Sequence, residues 1–439
     1  MSHYRPYPQY KDSGVEWVGA VPSHWESRRM ASLFREVARL GDPALPILSI
    51  SIHDGITDDE LAPDDRDRRI SQIEDRTKYK RVAPKDLAYN MMRAWQGAFG
   101  AVTVDGLVSP AYVVAEPIDA FRTVFIEQLL RTPNAIEEMR RYSRGIADFR
   151  MRLYWDYFRD LKICLPSLEE QDSILNRVSY ETARMDSLIA KKSEFIDLLE
   201  KKLQALVKRA VTKGLDRKAR MRESGVPWIG EMPDHWKLSK LGYEVSECGG
   251  KTPTTDNTAY WGGDIPWVTP KDMKGDVIAD SIDKITPFAV SECGMVAIPV
   301  GSVLVVVRGM ILAHSFPVAL TTIPVTINQD MKALVPSKHL LSTYLKLVLQ
   351  SAKSYVVTIL VAEAAHGTRV LRTDMWRQLP VLLPPIEEQQ LICDHVDAIA
   401  TRFGNLISLT KASIELLQRR RAAFMAAAVT GQIDLRESA

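Results

Sequence analysis

The chain has 439 residues, with 57 Lys and Arg against 55 Asp and Glu and a formal net charge of +2. That length exceeds one ordinary domain and points to about two to four units. The balanced charge by itself says nothing about nucleic acid, and no apolar run reaches the roughly 18 residues that a membrane span needs. The first residues, with Arg5, Lys11 and Asp12 and no apolar stretch, do not read as a signal peptide. Cys164, Cys248, Cys293 and Cys393 are far apart with no CxxC pair. They fit neither a zinc site nor a disulfide framework, and the expected location is a reducing, cytoplasmic one.

In chain order, the first feature is a lead-in within Tyr10–Trp25: Ser13-Gly14-Val15-Glu16-Trp17-Val18-Gly19, then Val21-Pro22-Ser23-His24-Trp25. No Asp, Glu or Cys stands at metal-ligand spacing around His24, so the segment reads as a Trp-anchored turn that seats a domain. A variable stretch follows from Arg28 to Leu161. Ile47–Ile52 alternates as a strand should, Asp54-Gly55 is a turn signal, and Leu87–Met92, Ala101–Val104 and Ala111–Ala115 read as short strands. Ala120–Leu130 and Ala135–Ser143 read as helices.

Leu165-Pro166-Ser167-Leu168-Glu169-Glu170-Gln171 then opens one long amphipathic segment that closes on Ala210-Val211-Thr212. Pro suits a first turn, where its missing N–H has no intrahelical partner. Glu169 and Glu170 suit the positive end of the helix dipole, and Lys208, Arg209 and Lys213 the negative end. Ile189, Ile196, Leu203 and Ala210 fill one position of a seven-residue repeat, and Met185, Leu199 and Leu206 the other, with Lys192 as an exception. Sustained heptads indicate a coiled coil. Arg184–Arg220 holds eleven basic and five acidic residues, either a solvated helix face or a phosphate track.

The same plan then returns. Ser224-Gly225-Val226-Pro227-Trp228-Ile229-Gly230 and Met232-Pro233-Asp234-His235-Trp236 repeat the lead-in at an offset of 211. A second variable stretch, Lys237–Leu382, has expected strands at Val277–Ala279, Met295–Ile298, Val303–Val307, Pro317–Ala319 and Met331–Val335, and a helix at Leu340–Leu349. Leu383-Pro384-Pro385-Ile386-Glu387-Glu388-Gln389 opens a second long segment that closes on Ala428-Val429-Thr430, at an offset of 218. Its heptads run through Ala400, Ile407, Ile414 and Ala428 with Phe403, Leu417 and Phe424, interrupted at Thr410 and Arg421. A fixed offset over such lengths is an internal duplication. Each helix of roughly 40–45 residues is on the order of 60–65 Å long. Neither shows a second apolar stripe wide enough for a globular core, so the simplest arrangement packs them together. The expected parts are residues 1–164, 165–220, 221–382 and 383–439: two α+β domains and two spacer helices in a pseudo-twofold repeat.

Catalytic motifs are missing. There is no GxGxxG, Walker A, HExxH or GxSxG, and no Asn-Pro-Pro-Tyr run. Gly249-Gly250-Lys251-Thr252-Pro253-Thr254 lacks P-loop spacing. Pro233-Asp234 with Asp272-Met273-Lys274 is a weak nuclease-like match, because the counterpart Pro22-Ser23 has no acid.

Two lead-ins, two variable domains and two Pro-x-x-Glu-Glu-Gln helices resemble the specificity subunit of type I restriction-modification enzymes, over essentially the whole chain. Tyr260–Trp267, Ile298–Ser302, Arg308-Gly309 and Asn328-Gln329 resemble one common subclass of that family's target-recognition domains; the first variable domain departs from it. The resemblance implies that each domain reads one half of a bipartite, asymmetric double-stranded DNA target. It implies two antiparallel coiled-coil helices that fix the gap between half-sites. It also implies two modification (methyltransferase) subunits carrying S-adenosylmethionine, restriction subunits carrying ATP and Mg²⁺, and no chemistry in this chain.

Affinity for DNA comes from cations on phosphates and specificity from side chains on base edges. The candidate readers are Lys251, Thr252, Thr254, Tyr260, Trp261, Lys271, Arg308 and Gln329 in the second domain, and Arg81, Asn90, Arg93, Trp95 and Gln96 in the first. Arg reads guanine bidentately and Gln reads adenine. For Trp261 the competing role is a loop anchor, and for the first-domain set a solvated surface. Two other classes remain open: a coiled-coil adaptor that binds only proteins and shows no salt-dependent DNA binding, and a nuclease that cuts with Mg²⁺ alone through Asp272 and Lys274.

Overall fold

The computed structural model describes residues 4–52, 55–58, 60, 75–145, 151–364 and 367–436; Asp54 of the expected turn lies outside them. The chain forms two compact units, Met1–Ser193 with Lys411–Ala439, and Glu194–Thr410. Among the described residues no helix is long and apolar enough to cross a membrane.

The two long segments are continuous helices, Leu168–Lys213 and Ile386–Val429, of 46 and 44 residues. At about 1.5 Å per residue they are roughly 65–70 Å long. Every expected heptad position in both is buried or half-buried, including the polar exceptions Lys192, Thr410 and Arg421. The start of each helix shares a core with the end of the other. In the first unit Ile174 and Val178 pack with Phe424, Ala427, Ala428 and Val429, and Arg421 pairs with Asp186 at 2.9 Å. In the second, Ala210 and Val211 lie in one core with Ile392, Cys393 and Val396. The pairing is therefore antiparallel. It also corrects one expectation: the helix ends carry enough apolar width to enter globular cores, and only the middle stretches keep a narrow seam.

The helix starts follow the sequence signals. Ser167 Oγ accepts the Glu170 N–H at 3.3 Å, which caps an otherwise unpaired donor. Both helices stop at a glycine with positive φ, Gly214 at +71° and Gly431 at +72°, the left-handed conformation that ends helices most readily at glycine.

The first unit holds an antiparallel four-stranded sheet in the order Phe99–Ala101, Leu87–Asn90, Tyr112–Pro117, Phe34–Glu36, and a three-stranded one of Gly106–Val108, Lys80–Val82 and Arg39–Leu40. Trp25, Phe34, Tyr89, Phe99, Phe125 and Phe158 fill its core. The second unit has a five-stranded sheet in the order Val245–Gly249, Met331–Pro336, Val303–Val306, Val318–Thr321, Val277–Ile278. Beside it lies a three-stranded sheet of Asp283–Ile285, Trp261–Val268 and Thr326–Ile327. Val303–Val306 is fully buried, as befits a central strand covered on both faces.

In each unit the strand leading into the long helix pairs antiparallel with the strand after the lead-in: Lys162–Leu165 with Glu26–Arg29, and Pro380–Leu383 with Lys237–Lys240. Expected strands differ in places. Ile47–Ile52 reduces to Ile50–Ser51 with an isolated bridge from Ile47 to Leu107. Met295–Ile298 forms only a bridge, from Ile298 to Val325.

Candidate nucleic-acid interface

The repeated motifs build one constellation twice. In the first unit Glu170 is 6% exposed. Its Oε1 accepts the Tyr7 hydroxyl at 2.7 Å and the Trp25 indole N–H at 3.1 Å, while Oε2 lies 2.7 Å from His24 Nε2. In the second unit Glu388 Oε2 accepts the Trp236 indole N–H at 3.0 Å and lies 2.9 Å from His235 Nε2. Burial, then the bond to Glu170, pushes the Tyr7 phenol far above its usual range.

The next residue repeats too. Gln171 accepts the Arg122 N–H at 2.8 Å and donates to Pro166 O at 3.0 Å. Gln389 accepts the Leu341 N–H at 2.9 Å and donates to Pro384 O and His339 O. The Glu-Gln of each helix thus fastens the lead-in and the variable domain to the helix start. Sequence reasoning placed the two Trp anchors but read Glu170 and Glu388 only as dipole charges. The signal that identifies their partners is the co-occurrence of His-Trp and Glu-Gln in both copies.

On this frame the second unit gathers loops at one end of its large sheet. The register pairs Gly249 with Lys332 and Val306 with Met331. The chain therefore leaves after Gly249, leaves after Val306 and enters before Met331 at the same end. The parallel pairing of Val268 with Ile327 delivers a fourth loop there. Backbone bonds tie the loops together: Lys251 N–H to Ile327 O at 3.0 Å, Asn328 N–H to Val268 O at 3.0 Å, and Arg308 N–H to Asp330 O at 3.3 Å. Gly250 is required here, because a Cβ would lie 2.1 Å from Ile327 O and 2.2 Å from Asn328 O.

Lys251, Thr252, Thr254, Lys271, Arg308 and Gln329 are therefore neighbours in one exposed cluster. The Thr252 hydroxyl donates to Gln329 Oε1, and Lys251 Nζ donates to Cys293 O at 2.9 Å. Lys271 and Arg308 have no side-chain partner among the described residues. Trp261 donates to Thr254 O at 3.2 Å and meets Trp267 edge-on at 5.1 Å, which is the geometry of a loop anchor. Tyr260 stands 5.6 Å from Phe288, itself 52% exposed. Asp272 is occupied as a turn residue, accepting Thr269 N–H and Ile282 N–H, each at 2.8 Å.

The first-unit candidates are less gathered. Arg81 is paired with Asp105 at 2.9 Å. Asn90 ends its strand and accepts the Met92 N–H at 3.0 Å. Arg93, Trp95 and Gln96 lie on the following turn, where Trp95 donates to Met92 O and Arg140 covers its ring at 5.7 Å. Trp95 is thereby fixed against a helix, while Gln96 is exposed.

Residues 233–419 match the family described as the type I restriction modification DNA specificity domain. A stretch of 188 residues is 35% identical to the type I restriction enzyme EcoR124I/EcoR124II specificity subunit of Escherichia coli, covering 42% of this chain and 45% of that protein. Another comparison, over 196 residues, gives 30% identity to the type I restriction enzyme MjaIX specificity subunit of Methanocaldococcus jannaschii, covering 44% and 43%. The chain spans about half the length of these curated relatives. Among solved structures, a chain from a study of complex assembly and conformational transition of the type I R-M system aligns with a TM-score of 0.70 at 17% identity, over 93% of this chain and 98% of that one. The HsdS subunit from Thermoanaerobacter tengcongensis aligns with a TM-score of 0.53 at 17% identity, over 94% and 98%. At that identity the two structures speak for the fold alone.

Proposed function

We propose, from the premise that this chain belongs to the specificity-subunit family of type I restriction-modification systems, that it is the DNA-reading, non-catalytic member of such a complex. Each variable domain, residues 1–164 and 221–382, reads one half of a bipartite, asymmetric double-stranded target, and the paired long helices set the unspecified gap. Two methyltransferase subunits dock on the chain, and restriction subunits join them for cleavage. S-adenosylmethionine, ATP and Mg²⁺ belong to those partners. The observation that carries the reading is the convergence of four exposed loops, with Lys251, Lys271, Arg308 and Gln329, at one sheet end of the second unit. Cations there suit phosphates, and Arg with Gln suits base edges.

The test is selection of a randomised duplex pool by the chain co-expressed with its methyltransferase subunit, across a salt series. The expected result is enrichment of two short blocks at a fixed gap, with affinity that falls as salt rises. Removing one heptad from each long helix shortens each by about 10 Å. The enriched gap should then shrink by about three base pairs. A complex that forms yet enriches no sequence at any salt would leave the chain as a protein adaptor.

A further inference from the structure

Shortly before its long helix, each unit has a chain reversal closed by antiparallel pairing. In the first, Arg144 faces Arg152 and the two exchange both backbone bonds at 2.9 Å. In the second, Ala362 faces Val370. The two pairs stand at the offset of 218 already met in the long helices. Each hairpin is tied in the same way to the residue that follows a sheet strand. The Leu153 N–H donates to Met91 O at 2.9 Å, and the Leu371 N–H to Val307 O at 2.8 Å. Leu153 and Leu371 are buried, so the adjacent residues, Arg152 and Val370, point to the other face.

The fold does not need arginines at this pair, because Ala362 and Val370 close the same hairpin in the other copy. Two like charges directly opposite each other also cost stability. Arg144 and Arg152 are exposed, and neither has a carboxylate partner among the described residues. The Arg144 guanidinium lies 4.9 Å over the Tyr157 ring. One residue past Val307 the second unit has Arg308, whereas one residue past Met91 the first has Met92. The first unit thus carries cations on the hairpin where the second carries one at the strand end.

We infer that Arg144 and Arg152 grip the phosphate backbone of DNA beside the half-site read by the first variable domain; the ligand rests on the function proposed above. Side chains directly opposite on one face start about 5 Å apart. Each guanidinium offers a planar fork of donors that matches phosphate oxygens. Met91, which accepts the Leu153 bond, lies between Asn90 and Arg93. The grip therefore stands beside the candidate readers of the first domain and leaves them free for base edges.

The full chain is co-purified with its methyltransferase subunit, and binding to the enriched duplex is titrated across a salt series. The double variant Arg144→Ser, Arg152→Ser is expected to weaken binding by about tenfold or more at roughly 0.1 M salt, to reduce the salt slope by about two, and to leave the enriched sequence unchanged. Neutral methylphosphonate linkages are then placed one at a time along the duplex. Beside one block, the loss seen with the wild type should be absent from the double variant, while losses elsewhere are shared. Arg152→Ser alone should melt no lower than the wild type, because a repulsion is relieved and no partner is lost. A lower melting temperature, or a wild-type salt slope in the double variant, overturns the inference and leaves the DNA reading standing. So does a loss of assembly in sedimentation velocity with the slope unchanged, which would give the arginines to a protein contact. A wild-type complex that binds duplex without sequence preference, and whose double variant loses slope, keeps the grip and removes the sequence reading. A wild-type complex that binds no duplex overturns both.

Discussion

Glu170 gathers a phenol, an indole and an imidazole around one buried carboxylate, whereas Glu388 gathers only an indole and an imidazole and is 23% exposed. Removing a shared acceptor leaves its buried donors unpaired, at about 1–3 kcal/mol for each. Glu170→Ala is therefore expected to destabilise by about 2–4 kcal/mol and Glu388→Ala by roughly half that, measured by urea unfolding. Equal losses would mean that the Tyr7 bond contributes nothing. Glu127 behaves differently. Burial pushes its carboxyl up, only partly offset by the Ala101 N–H and Arg131. A raised folded-state pKa means that stability present below the unfolded value is lost as pH rises through the folded one. Glu127→Gln should therefore gain on the wild type as pH rises above the ordinary carboxylate range, in paired melting curves. At the loop cluster, Arg308→Ala is expected to relax preference at one base position and to weaken specific binding by about 1–3 kcal/mol, roughly 5- to 150-fold. Lys271→Ala should weaken all sequences alike and reduce the salt slope by about one. Competition titrations on matched and mismatched duplexes separate the two behaviours.

The elements most legible in the sequence were those written in long periods. Heptads and repeated caps placed both long helices to within a few residues, because a seam of that length leaves little ambiguity of period. Short strands were less legible. Trp261–Val268 pairs antiparallel on one side and parallel on the other, with a bulge between Trp261 and Ile265, so its Gly- and Pro-rich sequence shows no alternation. The second-domain candidates were chosen as loop residues; six of them gather at one sheet end, whereas Trp261 opens a strand and serves as an anchor. Their convergence rests on register between segments distant in the chain, which spacing does not encode. The first-domain set shows the reverse: adjacency in sequence grouped Arg93, Trp95 and Gln96, and packing then assigned Trp95 to a helix. The helix ends give a further test. A Cβ at Gly431 would lie 2.5 Å from Pro22 Cδ, whereas at Gly214 the nearest atoms are 3.1 Å away. Both positions have positive φ, so each Ala variant is strained, by about 1 kcal/mol or more. Gly431→Ala is expected to be the more damaging, with a melting loss at least twice that of Gly214→Ala.

At the scale of the molecule, the two units are assembled from the chain in different ways. The second is one uninterrupted run, Glu194–Thr410, while the first joins Met1–Ser193 to Lys411–Ala439. Phe424, Ala427, Ala428, Val429, Ile433 and Leu435 belong to the first unit's core. During synthesis, when segments fold as they emerge, the middle of the chain is complete while the beginning still lacks a wall of its interior. A premature stop or frameshift between residues 411 and 435 therefore strikes the core of the first unit and spares the second, which lies within Glu194–Thr410. The first unit cannot close its core until residues 424–435 have been translated.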